Sequence, residues 1–403
     1  MKVLIVAQYL GNIENPGVSN SRFVDIATRV KAMGCSVQIV TTDFIHNEKR
    51  HTAGVTEVSG NRLTALHEPG YPQNVCLRRF YSHYILSQNL KRWLKTIDKP
   101  DVIYCASPSL DFAYEAAKYA RKNNIRFIID VQDLWPEAFK MVFGIPIISD
   151  LIFAPMKRKA DSIYKQADAV IAVSRTYADR AMQINKKCSR SNVVYLGTGL
   201  EYFDSCKSEE LPIEKAPDEI WLGYVGTLGH SYDLITVMKS LELIKGTSDY
   251  ERIKLVVAGD GPLKTEFENY AAVHGLNVCF LGRLPYPQMA AVLSKCDIAV
   301  NPIRKKSAGT IINKHADYAA AGIPVVNSQE SSEYRQLVEN YNMGLNCACE
   351  DAVDMAYKIV KLVESEPLRI EMGRNARKCA EERFDRDSTY SVIMRIIDEK
   401  RCV

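Results

Sequence analysis

Residues 307–326 read Ser-Ala-Gly-Thr-Ile-Ile-Asn-Lys-His-Ala-Asp-Tyr-Ala-Ala-Ala-Gly-Ile-Pro-Val-Val, and few folds accommodate that order. A loop of small residues, 307–310, precedes an alanine-rich helical run over 311–321. Gly322 is the natural C-cap and Pro324 bars further helix. Val325 and Val326 open a buried strand, and 296–302 reads as the strand before the loop. Strand, loop, helix, turn and strand form the crossover unit of a parallel sheet. Its geometry aims free N–H groups and the positive helix end at whatever lies over the loop. Gly309 permits close approach to the backbone. Thr310, Lys314 and Asp317 share one stripe of the helix. Two readings of that stripe stand side by side. In one, an ammonium and a carboxylate hold a phosphate oxygen and a sugar hydroxyl. In the other, they form an ordinary surface pair on a crossover helix.

The rest of the chain repeats the alternation. Strands are expected at 2–9, 36–42, 101–106, 125–131, 167–174, 193–196, 220–225, 253–258 and 278–281, with helical stretches between most of them. A length of 403 residues suits two domains. The charged, proline-containing stretch 205–218 reads as a linker, which gives domains over 1–204 and 205–385, with a helix from 386–403 returning to the first. Apolar content of 47% is globular, and a net charge of +4 is too mild to indicate a nucleic-acid partner. The 11 cysteines show neither CxxC pairs nor metal-ligand spacing, which suits a reducing compartment. The N-terminal run is a strand and not a leader, and nothing approaches the roughly 18 apolar residues of a membrane span. The expected location is the cytoplasm.

Several loops carry chemistry. Gly17 lies in the glycine loop after the first strand, Asn20 caps the following helix, and Arg22 lies in its first turn; no GxGxxG is present. Residues 43–72 form a long polar connection, read as a flexible flap. The strand ending near 131 runs into Asp130-Val-Gln132-Asp133-Leu-Trp-Pro-Glu137. Asp133 either orients an acceptor hydroxyl and accepts its proton, or caps the local turn. Residues 143–159 are apolar and end in Lys157-Arg158-Lys159, a pattern that suits either an anionic membrane face or a helix packed on its own domain. Gly226-Thr227-Leu-Gly229-His230 follows the first strand of the second domain, and Gly282-Arg283 follows another.

The segment 309–326 resembles the nucleotide-sugar motif of the retaining family 4 glycosyltransferases. That family usually carries two glutamates eight positions apart, the second followed by small residues and Gly-x-Pro-Val. Asp317 with 322–326 matches the second; Gly309 stands at the first, so that carboxylate is missing. Lys314 and Tyr318 resemble a subgroup acting in bacterial surface-polysaccharide assembly. Asp133 to Glu137 matches that subgroup as well, with Gln132 where many members have histidine. Thr227 and Tyr232 stand where the family often places Arg and Lys. Arg304-Lys305-Lys306 offers replacement charge.

The resemblance implies a GT-B fold, with two Rossmann-like doubly wound α/β domains facing across a cleft. It implies retaining, metal-independent transfer from a nucleotide diphosphate sugar, with uridine favoured as the base, to a lipid-linked or saccharide acceptor in capsule, O-antigen or exopolysaccharide synthesis. The nucleotide sugar is a co-substrate and no cofactor is expected. Lys314, Asp133 and His230 are the candidate catalytic residues. Asp317, Gly309, Thr310, Ile311, Arg283, Thr227 and Gly229 are expected around the donor. Gly17, Asn20, Arg22, Gln132 and Glu137 are expected on the acceptor side. Peripheral contact of 143–159 with the inner membrane face fits a lipid-linked acceptor. Three other classes are weighed beside this one: a nucleotide-sugar epimerase, a non-catalytic partner subunit, and a nicotinamide-dependent dehydrogenase, the last disfavoured by the missing glycine fingerprint.

Overall fold

The structure is a computed structural model that describes all residues except 11–20, 53, 75, 140–145, 306, 308–309 and 400–403; of 146–150 it describes the backbone alone. The chain divides into two compact units, Met1–Tyr195 with Tyr390–Val403, and Leu196–Thr389.

The first unit holds an 8-stranded sheet in the order β10-β9-β8-β7-β1-β2-β6-β5. These strands are β1 (Lys2–Val6), β2 (Ser36–Thr42), β5 (Glu57–Val58), β6 (Asn61–Leu66), β7 (Val102–Ser107), β8 (Arg126–Val131), β9 (Ala169–Ala172) and β10 (Asn192–Val193). β3 (Phe44–Ile45) and β4 (Arg50–His51) form a separate antiparallel pair. Pairing in the large sheet is parallel except between β5 and β6. All residues of β7 and β8 are buried, as strands covered on both faces must be. Val3, Ile5, Ile39 and Ile128 share a core with Ile393, Ile396 and Ile397 of the C-terminal helix Ser391–Asp398. The expected flap, 43–72, carries four short strands, β3 to β6. Residues 61–66 pair with β2, because Leu63 enters the core while Arg62 faces water.

The second unit has a 6-stranded, wholly parallel sheet in the order β13-β12-β11-β14-β15-β16. Its strands are β11 (Ile220–Val225), β12 (Ile253–Ala258), β13 (Val278–Gly282), β14 (Ile298–Asn301), β15 (Val325–Asn327) and β16 (Gly344–Asn346). The order reverses between β11 and β14. In such sheets ligands bind outside the strands' carboxyl ends at that reversal.

The unit boundaries differ from 204/205 and 385/386. The Thr198 N–H donates to the Phe384 carbonyl (2.9 Å) and the Arg386 N–H to the Thr198 carbonyl (3.1 Å), which ties residues 196–204 and 386–389 to the second unit. Gly197 sits between these bonds at φ +66, where an added Cβ would lie 2.3 Å from the Phe384 carbonyl oxygen. Arg377 then clamps Asp204 through two bonds of 2.8 and 2.7 Å.

Candidate active site

The β11–β14 reversal gathers the loop 226–230, the end of β14 and the helix Asn313–Ala321. Tyr318 pins that helix to both strands. Its hydroxyl accepts from the Val225 N–H at 3.3 Å and donates to the Val300 carbonyl at 3.1 Å. One turn earlier, Lys314 is 7% exposed. Its Nζ lies 3.9 Å from the ring centroids of both Tyr224 and Tyr232. It has no hydrogen-bond partner among the described residues. A Cβ on Gly226 would stand 3.2 Å from it. Burial drives the Lys314 pKa far down. The tyrosine faces oppose that by about 1–2 kcal/mol each. Desolvating an isolated ammonium costs more, so burial favours the neutral amine.

His315 builds the helix start. Its ring stacks on Tyr334 with centroids 3.4 Å apart, and its Nδ1 accepts from the Ile312 N–H at 3.3 Å. The other ring nitrogen is 3.1 Å from the Asn301 amide. Gln329 donates to the Thr310 carbonyl at 2.8 Å, so the loop is held from β15's side. Thr310 and Ile311 do not belong to the helix's first turn. The cap residue is Ile312, whose N–H is already taken by His315, and Thr310 and Ile311 precede the helix. Gly309 lies outside the described residues.

Asp317 does not pair with Lys314. Its Oδ1 accepts from the Tyr286 hydroxyl at 3.1 Å. Thr198 also bonds it, and the Thr198 and Tyr286 hydroxyls are 2.6 Å apart. Burial pushes the Asp317 carboxyl up to about 6, against the pull of Tyr286 and Arg386. Half-buried, the carboxylate keeps acceptor positions beyond those its neighbours use. Tyr202 stacks on Tyr286 at 5.7 Å.

The remaining donor candidates are scattered along the strand ends. Thr227, His230 and Arg283 are exposed, and Gly229 is buried. Arg304 is half-buried and Lys305 exposed; Lys306 is outside the described residues. Gly259 and Gly261 serve packing: a Cβ on either would strike the Gly226 or Leu228 carbonyl, at 1.9 and 2.4 Å.

In the first unit two expected acceptor-side residues are held in ion pairs. Arg22 is buried in an ion pair with Asp130 (Nε to Oδ2, 2.8 Å), donates to the Tyr195 carbonyl at 2.9 Å and lies over the Tyr390 ring. It is a core cation and not a free ligand group, because Asp130 draws it inward. Glu137 is bound by Arg180 at 2.6 Å, and Arg180 also holds Asp161. Gln132 donates to Asp130 at 2.8 Å. Asp133 accepts from the Leu134 N–H (2.8 Å) and the Trp135 indole (3.2 Å), which is its turn-capping reading; burial raises its pKa. Gly17 and Asn20 lie outside the described residues.

A second polar cluster was not anticipated. Buried Glu68 accepts from Gln8 (3.0 Å) and Ser82 (2.9 Å). Arg79 donates to the Tyr9 hydroxyl at 3.1 Å, with its guanidinium 4.7 Å from the Trp135 ring. His83 stacks on Trp135 at 5.8 Å, and His46 is 2.6 Å from the Tyr71 hydroxyl. Burial, then Arg79, lowers the His83 pKa to about 3; burial, then Lys49 and Arg79, lowers that of His46 to about 4. Both imidazoles are neutral at pH 7, each with one N–H donor and one acceptor nitrogen; His46 Nδ1 is bonded to Tyr71 and His83 Nε2 to Tyr9. Tyr9, Glu68 and Trp135 all lie just past the carboxyl ends of sheet strands.

With this geometry in hand, the comparisons are decisive about class. The model for glycosyl transferases group 1 matches residues 208–379, and that for glycosyltransferase family 4 matches residues 19–202. The chain belongs to the family 4 glycosyltransferases, with the GT-B fold. Among its relatives is an uncharacterized glycosyltransferase of Methanocaldococcus jannaschii, 24% identical over 225 residues, or 55% of this chain and 56% of the relative. Another, from Campylobacter jejuni, is named GalNAc-alpha-(1->4)-GalNAc-alpha-(1->3)-diNAcBac-PP-undecaprenol alpha-1,4-N-acetyl-D-galactosaminyltransferase; it is 24% identical over 155 residues, or 38% of this chain and 42% of the relative. The chain thus spans about half the length, or less, of these curated relatives. Among solved structures, sucrose-phosphate synthase from Thermosynechococcus elongatus superposes with a TM-score of 0.73 at 14% identity, covering 98% of both chains. Anabaena HepE in complex with UDP-glucose gives 0.68 at 16% identity, covering 98% of this chain and 99% of the other. WaaG, a glycosyltransferase involved in lipopolysaccharide biosynthesis, gives 0.65 at 15% identity, covering 99% and 100%. At these identities the likeness is one of fold.

Proposed function

We propose that this protein transfers a glycosyl group, with retention and without a metal in the transfer step, from a nucleotide diphosphate sugar to a lipid-linked or saccharide acceptor in bacterial surface-polysaccharide synthesis. The observation that carries the reading is the Lys314 amine, buried between two tyrosine faces at the sheet reversal with no hydrogen-bond partner among the described residues. An anion entering there gives the amine its missing partner. The ammonium so formed stabilises the charge that develops as the diphosphate departs. Asp317, three residues on, receives the ribose hydroxyls, and Tyr286 fixes its rotamer. UDP is the favoured nucleotide, supported by the HepE complexes with UDP and UDP-glucose. The family's missing cations, replaced by Thr227 and Tyr232, leave Lys314 to carry more of that charge.

On the acceptor side, the Arg79–Tyr9–Glu68 cluster supplies a cation, hydroxyls and a buried acid. This takes the place of the expected Arg22 and Glu137. The undecaprenol-linked acceptor in the name of the Campylobacter relative supports a lipid-linked substrate here. The transfer reading is tested by incubating the full chain with UDP-hexoses and a polyprenyl-diphosphate saccharide, then reading the product anomer by NMR. A new glycosidic bond of the donor's own anomeric configuration is expected. Free hexose epimer without an acceptor, or no turnover despite nucleotide binding, contradicts it.

Membrane contact is part of the proposal. Leu151 and Ile152 are 80% and 63% exposed, one to two turns before exposed Lys157 and Arg158. The rings of Phe80, Phe139 and Phe153 run together at 5.9 and 6.0 Å, which links this helix to the exposed Leu77, Tyr81 and Tyr84. Residues 143–150 contribute no described side chains. Apolar and aromatic groups beside cations suit an anionic interface. Flotation with phosphatidylglycerol vesicles should carry the protein at low salt, and Leu151→Asp/Ile152→Asp should abolish it. Flotation equal in the two proteins removes this part.

A further inference from the structure

Asp43, His51 and His67 bring two imidazoles and a carboxylate together in the first unit, with ligand atoms all within 4.8 Å of one another. All three lie within one connecting stretch of the chain, residues 43–67. Asp43 follows β2, His51 ends β4, and His67 follows β6. Main-chain bonds fix all three segments. The Asp43 N–H donates to the Leu66 carbonyl (2.9 Å), the Thr52 N–H to the Asp43 carbonyl (2.7 Å), and Phe44 pairs with His51 across the β3–β4 ladder. The side chains converge on those anchors. His67 Nδ1 is 2.9 Å from Asp43 Oδ2, His51 Nε2 is 4.0 Å from Asp43 Oδ1, and the two rings stack at 5.6 Å. Outer contacts orient the set: the Glu68 N–H donates to Asp43 Oδ1 at 2.8 Å, and His51 Nε2 is 2.7 Å from the Glu68 carbonyl.

We propose that Asp43, His51 and His67 form a divalent transition-metal site of the zinc class, with a fourth position open to water. Two neutral nitrogens and one carboxylate are the ligand types such an ion takes. A tetrahedral ion with bonds of about 2.0 Å needs ligand atoms roughly 3.3 Å apart. Binding requires His51 Nε2 to leave the Glu68 carbonyl, shift its proton to Nδ1 and close on Asp43 from its present 4.0 Å. The second shell is already in place, since Asp43 is steadied by the amide of Glu68. The ion would fasten three strand ends around Glu68, whose carboxylate anchors the acceptor-side cluster. It takes no part in departure of the diphosphate, so this inference stands or falls independently of the transfer reading.

The test uses the full chain, free of any added histidine tag and stripped with chelator. Cobalt(II) is titrated first, followed by zinc(II). One equivalent of cobalt should bind with a micromolar Kd and show the ligand-field bands of a four-coordinate nitrogen–oxygen site. Zinc should displace it and raise the melting temperature. His51→Gln/His67→Asn should weaken binding at least ~100-fold and leave the metal-free melting temperature unchanged. If the double variant melts low without metal, the exposed His67→Ala alone is read instead, with the same loss expected. A sulfur-to-cobalt charge-transfer band, binding undiminished in the variants, or a Kd weaker than millimolar overturns the proposal.

Discussion

Replacing Lys314 with methionine should lower kcat/KM for glycosyl transfer by about 10²–10³-fold, the usual cost of losing one preorganised group at a developing oxyanion. The melting temperature should stay level or rise. Between Tyr224 and Tyr232 the native site holds an amine that has no hydrogen-bond partner among the described residues. Methionine has nearly the same length, no polar atom to desolvate, and a thioether that packs well against aromatic rings. A residue present for stability would behave the opposite way, since removing it would cost stability first. Parallel measurement of steady-state kinetics and thermal unfolding on the same preparations separates the two. If activity falls only in proportion to the fraction unfolded, Lys314 is structural.

Asp317→Asn should weaken nucleotide binding by roughly 10–100-fold, the value of one or two charge-assisted hydrogen bonds. The variant should also melt higher than the wild type at pH 8. The Asp317 pKa is raised to about 6 by burial. A carboxyl with a raised folded pKa weakens the fold above that pH, and the penalty fades as pH falls from about 6 towards the unfolded value near 4. Its ceiling is about 3 kcal/mol, and partial exposure brings it to roughly 1–2 kcal/mol. The two proteins should therefore differ at pH 8 and converge near pH 4. Donor affinity of the wild type should fall below pH 6 as the carboxylate takes its proton, while the weaker binding by Asp317→Asn stays flat across that range. Circular-dichroism melts and calorimetric titrations at several pH values read both effects. An Asn variant that melts lower at pH 8 contradicts this account of Asp317.

Much of the fold was legible because parallel α/β units write themselves locally. The run 307–326 announced its loop, helix, cap and strand, and Gly322 does adopt the left-handed cap at φ +69. Residues 61–66 were missed as a strand because its Asn-Arg-Leu-Thr-Ala-Leu run carries a thin apolar signal. Lys314 and Asp317 were singled out by their shared helix and by the family likeness. Their surroundings were not, because Tyr224, Tyr232, Thr198 and Tyr286 come from separate loops and meet the helix only on folding. Arg22 was misread for the same reason: its partner Asp130 is 108 positions away, and nothing near Arg22 in the chain marks it as buried. The helix starts two residues later than expected, at Asn313, because His315, at the third helical position, accepts the Ile312 N–H and takes the cap role that the small-residue loop was expected to leave open.

If the site at the β11–β14 reversal recognises a diphosphate, it does so through the Lys314 amine, which has no hydrogen-bond partner among the described residues. Isothermal titration of UDP, UMP and uridine into the wild type and Lys314→Met tests it most directly. Affinity should rise steeply from uridine to UDP in the wild type, with proton uptake on UDP binding near neutral pH, and Lys314→Met should lose most of that rise. Equal affinities for UDP and uridine in the wild type, or an undiminished preference for UDP in Lys314→Met, would contradict it.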